Sequence, residues 1–74
     1  MIMTDCIIAM KSRTLAEKAK RSAANENIRA SIVSIDPSVT RRGCSVGLLL
    51  PCGDVGRMKW ILDRRQIDYG DIIG

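Results

Sequence analysis

The stretch "RASIVSIDPSVTRRGCSVGLLLP", residues 29–51, decides the fold. Its opening "RASIVSID" mixes β-branched residues with serines, the composition of a strand with one wetter side. "PSVTRRG" then reads as a loop, because proline withholds a ladder donor and glycine permits a tight turn. "CSVGLLLP", residues 44–51, returns to apolar residues and reads as a further strand. Two strands in direct succession, joined by a loop too short for a crossover helix, pair antiparallel.

Working outward toward the N-terminus, "SRTLAEKAKRSAANEN", residues 12–27, consists of helix formers, with Leu15, Ala16, Ala19 and Ala23 on one face and Lys18, Lys20 and Arg21 outside. Ser12 is the expected cap, with Thr14 and Glu17 as a capping-box alternative, and Asn27 is placed to end the helix in a left-handed conformation. Before it, "DCIIAM", residues 5–10, has the unbroken apolarity of a strand buried on both faces. Toward the C-terminus, "CGD" forms a turn with Asp54 as the expected N-cap. A second helix follows, with Val55, Met58, Ile61 and Leu62 as its stripe and Arg64 and Arg65 at its C-terminal end. "DYGDII", residues 68–73, reads as a last strand, and the two aromatics, Trp60 and Tyr69, are expected in the core.

Strand, helix, strand, strand, helix, strand is the split βαβ order of a ferredoxin-like βαββαβ sandwich. The expected class is α+β: a single domain, residues 1–74, with a four-stranded antiparallel sheet and two helices on one face. The sheet order is expected to be fourth, first, third, second. That order puts Cys44 at the start of the third strand, near Lys11 and Ser12, and puts Cys6 and Cys52 at the opposite sheet end. Cys44 and Cys52 are then most of a strand apart and cannot bond. Apolar residues of both parities, Ile7, Ala9 and Leu49 against Ile8, Met10 and Leu48, suggest that something covers the helix-free face, a homodimer contact being one option.

The composition narrows the chemistry. With no histidine, the chain lacks a Ser-His or Cys-His pair and the commonest metal ligand. Three cysteines without a C-x-x-C signal neither a disulfide framework nor a zinc site, so all three thiols are expected free. Free thiols imply a reducing compartment, and "MIMTDCIIAMK" has neither a basic leader nor a long apolar run, so the expected localisation is cytoplasmic. The net charge of +4 favours an acidic partner without identifying nucleic acid. The expected first and third strands carry no aromatics on which bases could stack, so an RNA-binding sheet is not expected.

Cys44 is the candidate reactive residue. Arg41 and Arg42 bring permanent positive charge, Gly43 leaves the backbone open, and the helix start at Ser12 adds N–H groups, all of which favour a thiolate. The competing reading is a small hydrophobe at a strand end, with the arginines solvating a loop. Cys6 reads as core packing, and Cys52 is opposed as a thiolate by Asp54.

"MKSRTLAEKAK", the "I-x-A-x-I-V-x-I-D-P-S" strand and turn, and above all "T-R-R-G-C-S-V-G" resemble a family of short bacterial proteins of unknown function described as selenium/sulfur carrier-like. The resemblance spans nearly the whole chain and is most specific at Gly43 and Cys44, with Arg42 before them and Gly47 after. Asn27 departs from it where a glycine is expected, and Cys52 has no counterpart. What it implies is a carrier and not an enzyme: Cys44 would accept persulfide, or its selenium equivalent, from a cysteine desulfurase and pass it to an acceptor protein. Arg41, Arg42, Gly43 and Ser12 would form the thiolate's surroundings. No cofactor, nucleic acid or membrane is implied, since the pyridoxal-phosphate partner does the bond breaking. The alternative is a non-catalytic adaptor or oligomerisation domain that docks through the open sheet face.

Overall fold

The computed structural model of the chain describes residues 4–36, 38 and 45–73. It is the expected α+β, ferredoxin-like sandwich. The elements are β1 (Asp5–Met10), α1 (Arg13–Asn25), β2 (Ser31–Ser34), β3 (Val46–Pro51), a 3-10 turn (Cys52–Asp54), α2 (Val55–Arg64) and β4 (Ile72–Ile73). The sheet runs β2-β3-β1-β4 with every neighbouring pair antiparallel. β1 and β3 form its spine, with a ladder that runs from Asp5 opposite Pro51 to Met10 opposite Val46.

Because side chains alternate along a strand, Ile8 and Met10 share one face of the sheet with Leu48 and Leu50. These four join Ala16, Ala19 and Ala23 of α1 and Met58, Ile61 and Leu62 of α2 in one buried cluster, so both helices lie on that face. The alanines of α1 leave little bulk between helix and sheet, while α2 supplies the volume. Ser12 caps α1 as expected, its hydroxyl accepting the Leu15 N–H at 3.2 Å. Thr14 and Glu17 do not form the alternative box; Glu17 pairs instead with Arg13 at 3.9 Å on the exposed helix surface.

Both helices end in the same way. Asn27 takes φ 60° and Gln66 φ 57°; the Ile28 N–H bonds the Ala23 carbonyl at 2.8 Å and the Ile67 N–H bonds that of Leu62 at 2.9 Å. Each is a Schellman motif, and each buries the isoleucine that follows.

Several elements depart from expectation. Asp54 makes no side-chain cap bond, because residues 52–54 are already wound as a 3-10 turn that runs straight into α2. β4 contracts from the expected six residues to Ile72 and Ile73, although the chain before it still follows β1: Gly70 N–H donates to the Ala9 carbonyl at 2.6 Å, and Ala9 N–H donates to that of Asp71 at 2.8 Å. Tyr69 packs against the core, but Trp60 is 58% exposed.

The helix-free face is less bare than the alternation of apolar residues implies. Ala9 and Ile35 are buried there, with Ile7 and Ile73 packed against them. Ile7 and Ile35 close over Gly47, so the chain covers the middle of this face with its own side chains.

Candidate functional site at the start of α1

The end of β1 lies beside the start of β3, Met10 opposite Val46, and the end of β2 flanks the same point, Ser34 opposite Val46. Only Lys11 and Ser12 separate β1 from α1, so three element ends converge on one rim. They enclose an open cavity of about 370 Å³ lined by Lys11, Ser12, Arg13, Ile32, Val33, Ser34, Ser45 and Val46. Its walls are mostly polar because each strand has run out of buried partners here.

Of the sequence-predicted site residues, the structure places Ser12 on this rim. Arg41, Arg42, Gly43 and Cys44 lie outside the described residues. Ser45, the residue bonded to Cys44, lines the cavity together with Lys11 and Ser12, the two residues named as neighbours of this strand start. The Ser12 hydroxyl oxygen is engaged as the helix cap, and its carbonyl accepts the Ala16 N–H at 3.0 Å. Its part in the site is therefore to hold the first turn of α1 open toward the rim, whose N–H ends carry partial positive charge.

Two cations line the cavity. Lys11 meets Asp68 at 3.6 Å, and Arg13 meets Glu17 at 3.9 Å, so each is partly balanced by a carboxylate. Arg13 escaped notice in the sequence because it reads as an ordinary first-turn residue of a polar helix face. On the far side of the loop, the Asp36 carboxylate accepts the Ser38 N–H at 3.0 Å. That backbone hydrogen bond, reinforced by the Ser38 side chain, holds its carboxyl below the usual carboxylate value. A depressed carboxyl favours the folded turn at any pH above its unfolded value of 3.8, and the contribution is lost as pH falls through the lower folded value. The turn at the base of the loop thus keeps its charge across the neutral range.

The other two cysteines correct the expectation of three free thiols. Cys6 and Cys52 are joined in a disulfide with a Cα–Cα separation of 4.9 Å. The register explains it. Cys6 lies opposite Leu50, Cys52 follows two residues later on the same face, and the Cys52 N–H bonds the Thr4 carbonyl at 3.1 Å, so the two sulfurs face each other diagonally across β1 and the end of β3. Cys6 is buried as expected, but as half of a cross-link. Asp54 has no thiolate at Cys52 to oppose.

No protein-family model, curated protein or solved structure matches the chain. The carrier-like resemblance therefore stands on the quoted motifs alone. Among the described residues, no helix is long and apolar enough to cross a membrane.

Proposed function

We propose that the chain is a sulfur or selenium carrier that works through Cys44. The observation that carries this reading is the pairing of Cys6 with Cys52 at the sheet end remote from the Ser12 rim. Of the three cysteines, that leaves Cys44 with no free cysteine in its own chain to pair with. A carrier needs one thiol whose load no neighbouring thiol in the same chain can displace, and a bonded pair at the far end meets that need.

In the transfer, the Cys44 thiolate attacks the terminal sulfur of a persulfide on a cysteine desulfurase. The donor's S–S bond breaks, its cysteine leaves as thiolate, and a new S–S bond forms at the Cys44 Sγ. No electrons are gained or lost overall. Delivery to the acceptor protein repeats the exchange in the other direction. Arg41 and Arg42 stabilise the anionic forms, Gly43 leaves the sulfur open to approach, and the first turn of α1 capped by Ser12 adds its N–H dipoles. The Cys6–Cys52 bond removes the free-thiol argument for a reducing compartment, so in this reading the cytoplasmic setting rests on the donor enzyme alone.

The test is intact-protein mass spectrometry after incubation with a cysteine desulfurase and cysteine. The parent chain gains sulfur, Cys44→Ser gains none, and the Cys6→Ala/Cys52→Ala double variant loads as the parent does. Arg41→Gln with Arg42→Gln slows loading and raises the pH at which Cys44 alkylates. Loading of Cys44→Ser at the parent's rate refutes the carrier reading.

A further inference from the structure

β2 is an edge strand, and no strand pairs with its outer side among the described residues. The register fixes which of its groups point there. The Ile35 N–H bonds the Ser45 carbonyl at 2.9 Å, in the ladder that sets Val33 opposite Gly47 and Ser31 opposite Leu49. Ser31 and Val33 therefore turn their backbone groups toward β3, and Ile32 and Ser34 turn theirs outward. Proteins commonly guard such an edge with charge, proline or a bulge; Ser31–Ser34 carries no charge and no proline, and its register is unbroken. β4, at the opposite edge, is only two residues long, which is itself a guard. Beside the β2 edge, on the helix side of the sheet, a groove of about 470 Å³ separates β2 from α1 and is lined by Ile32, Ala24, Glu17, Lys20 and Arg21. Ile32 also lines the cavity at the Ser12 rim, together with Ser34 and Ser45, so the groove continues along β2 into that cavity.

We propose that the outer edge of β2 docks an extended segment of the sulfur donor, the segment that bears its persulfide cysteine, as a further strand of the sheet. The inference rests on the carrier reading and names how the donor is held. The edge itself states the chemistry of its occupant. Outward N–H and C=O groups on alternate residues are matched by an extended polypeptide backbone, which gives affinity, while alternate side chains give selectivity. Residues opposite each other in a ladder project to the same face. Ile32 packs toward the helix side, against the main core cluster, so a donor residue paired with it drops its side chain into the groove over Ile32 and Ala24. That side chain is apolar, because the two residues it meets are apolar and the charges around them are of mixed sign. A donor residue paired with Ser34, about 7 Å along the strand, reaches the rim cavity, where Ser45 leads into Cys44. A second copy of the chain is the wrong occupant, since its own β2 on this edge closes the approach to the rim that the donor needs open.

The decisive variant is Ser34→Pro, which removes one outward N–H and leaves the ladder to β3 intact, as proline on an edge strand allows. With a cysteine desulfurase and cysteine, Ser34→Pro is expected to load sulfur about tenfold more slowly than the parent, and Ser34→Ala, which keeps the N–H, to load about tenfold faster than Ser34→Pro. Ala24→Phe, which fills the groove from α1, is expected to slow loading by about the same factor. Iodoacetamide, too small to need docking, alkylates Cys44 at one rate in all of these chains, and their circular dichroism is the same. A second arm reads docking without transfer. In the Cys44→Ser chain saturated with desulfurase, the Ile32 and Ser34 amides are expected to exchange hydrogen about tenfold more slowly than in the free chain. The docking proposal alone is overturned if Cys44 of the parent loads but Ser34→Pro and Ala24→Phe load at the parent's rate. It is overturned equally if those two amides are not slowed, or if the parent is a dimer that Ser34→Pro dissociates. Loading of Cys44→Ser at the parent's rate instead refutes the carrier reading, and the docking proposal with it.

Discussion

At the scale of single residues, Gly47 shows how packing can demand a glycine that conformation does not. The sequence marks it as part of the "G-C-S-V-G" step, but its physical reason lies across the sheet. A Cβ there would overlap the Ile35 Cδ1 and come within 2.6 Å of the Ile7 Cγ2. The Ile35 methyl is the far end of a side chain and can swing away, whereas the Ile7 Cγ2 sits on a β-branched carbon with one favoured rotamer. Gly47→Ala is therefore expected to lower stability by about 1–3 kcal/mol, the usual cost of overfilling a packed site. Urea denaturation checks this, and an unchanged midpoint would show that Ile7 moves freely. Trp60 is the opposite case, legible in principle. It lies about 200° around the helix from Met58, at 100° per residue, so the stripe of Val55, Met58, Ile61 and Leu62 already turned it outward. The general tendency of tryptophan to be buried outweighed that local geometry in the sequence reading, and the geometry was right.

At the scale of elements, the helix ends separate what a residue type announces from what it conceals. Asn27 tolerates a left-handed backbone and was readable as a terminator. Gln66, at φ 57°, gave no such sign, because glutamine gains nothing locally from that conformation. It is held there by the Ile67 N–H bond to Leu62 and by burial of Ile67. Gln66→Gly is accordingly expected to stabilise the chain by about 1 kcal/mol, read as a rise of several degrees in Tm. A fall in Tm would mean that the glutamine side chain contributes more than its backbone costs. The start of α2 shows a different limit. Asp54 has the right chemistry for an N-cap, yet the preceding turn is already helical, so the first turn of α2 is satisfied from the 3-10 backbone, as in the Val55 N–H bond to the Cys52 carbonyl. Asp54 keeps the N-cap position that propensity assigns it, but the helical turn before it leaves its side chain without a cap bond.

At the scale of the whole molecule, the Cys6–Cys52 bond spans 46 residues and ties the start of β1 to the entry of α2. For a loop of that length the chain-entropy model assigns about 4 kcal/mol, a large share of what so small a domain can hold. Cys6→Ala with Cys52→Ala, or reduction of the parent, is expected to lower the urea midpoint markedly at a nearly unchanged native circular dichroism. Equal midpoints with and without reductant would show that the bond contributes no stability. The order of elements, the strand order of the sheet and the face taken by both helices were determined by the sequence alone, since each follows from apolar periodicity, turn residues and short connections, which are local. The pairing of Cys6 with Cys52 and the closure of Ile7 and Ile35 over Gly47 were decided only by the tertiary structure. Each joins residues far apart in the chain, and whether they meet depends on strand register and side-chain packing to within an ångström or two, a distance that no local pattern encodes.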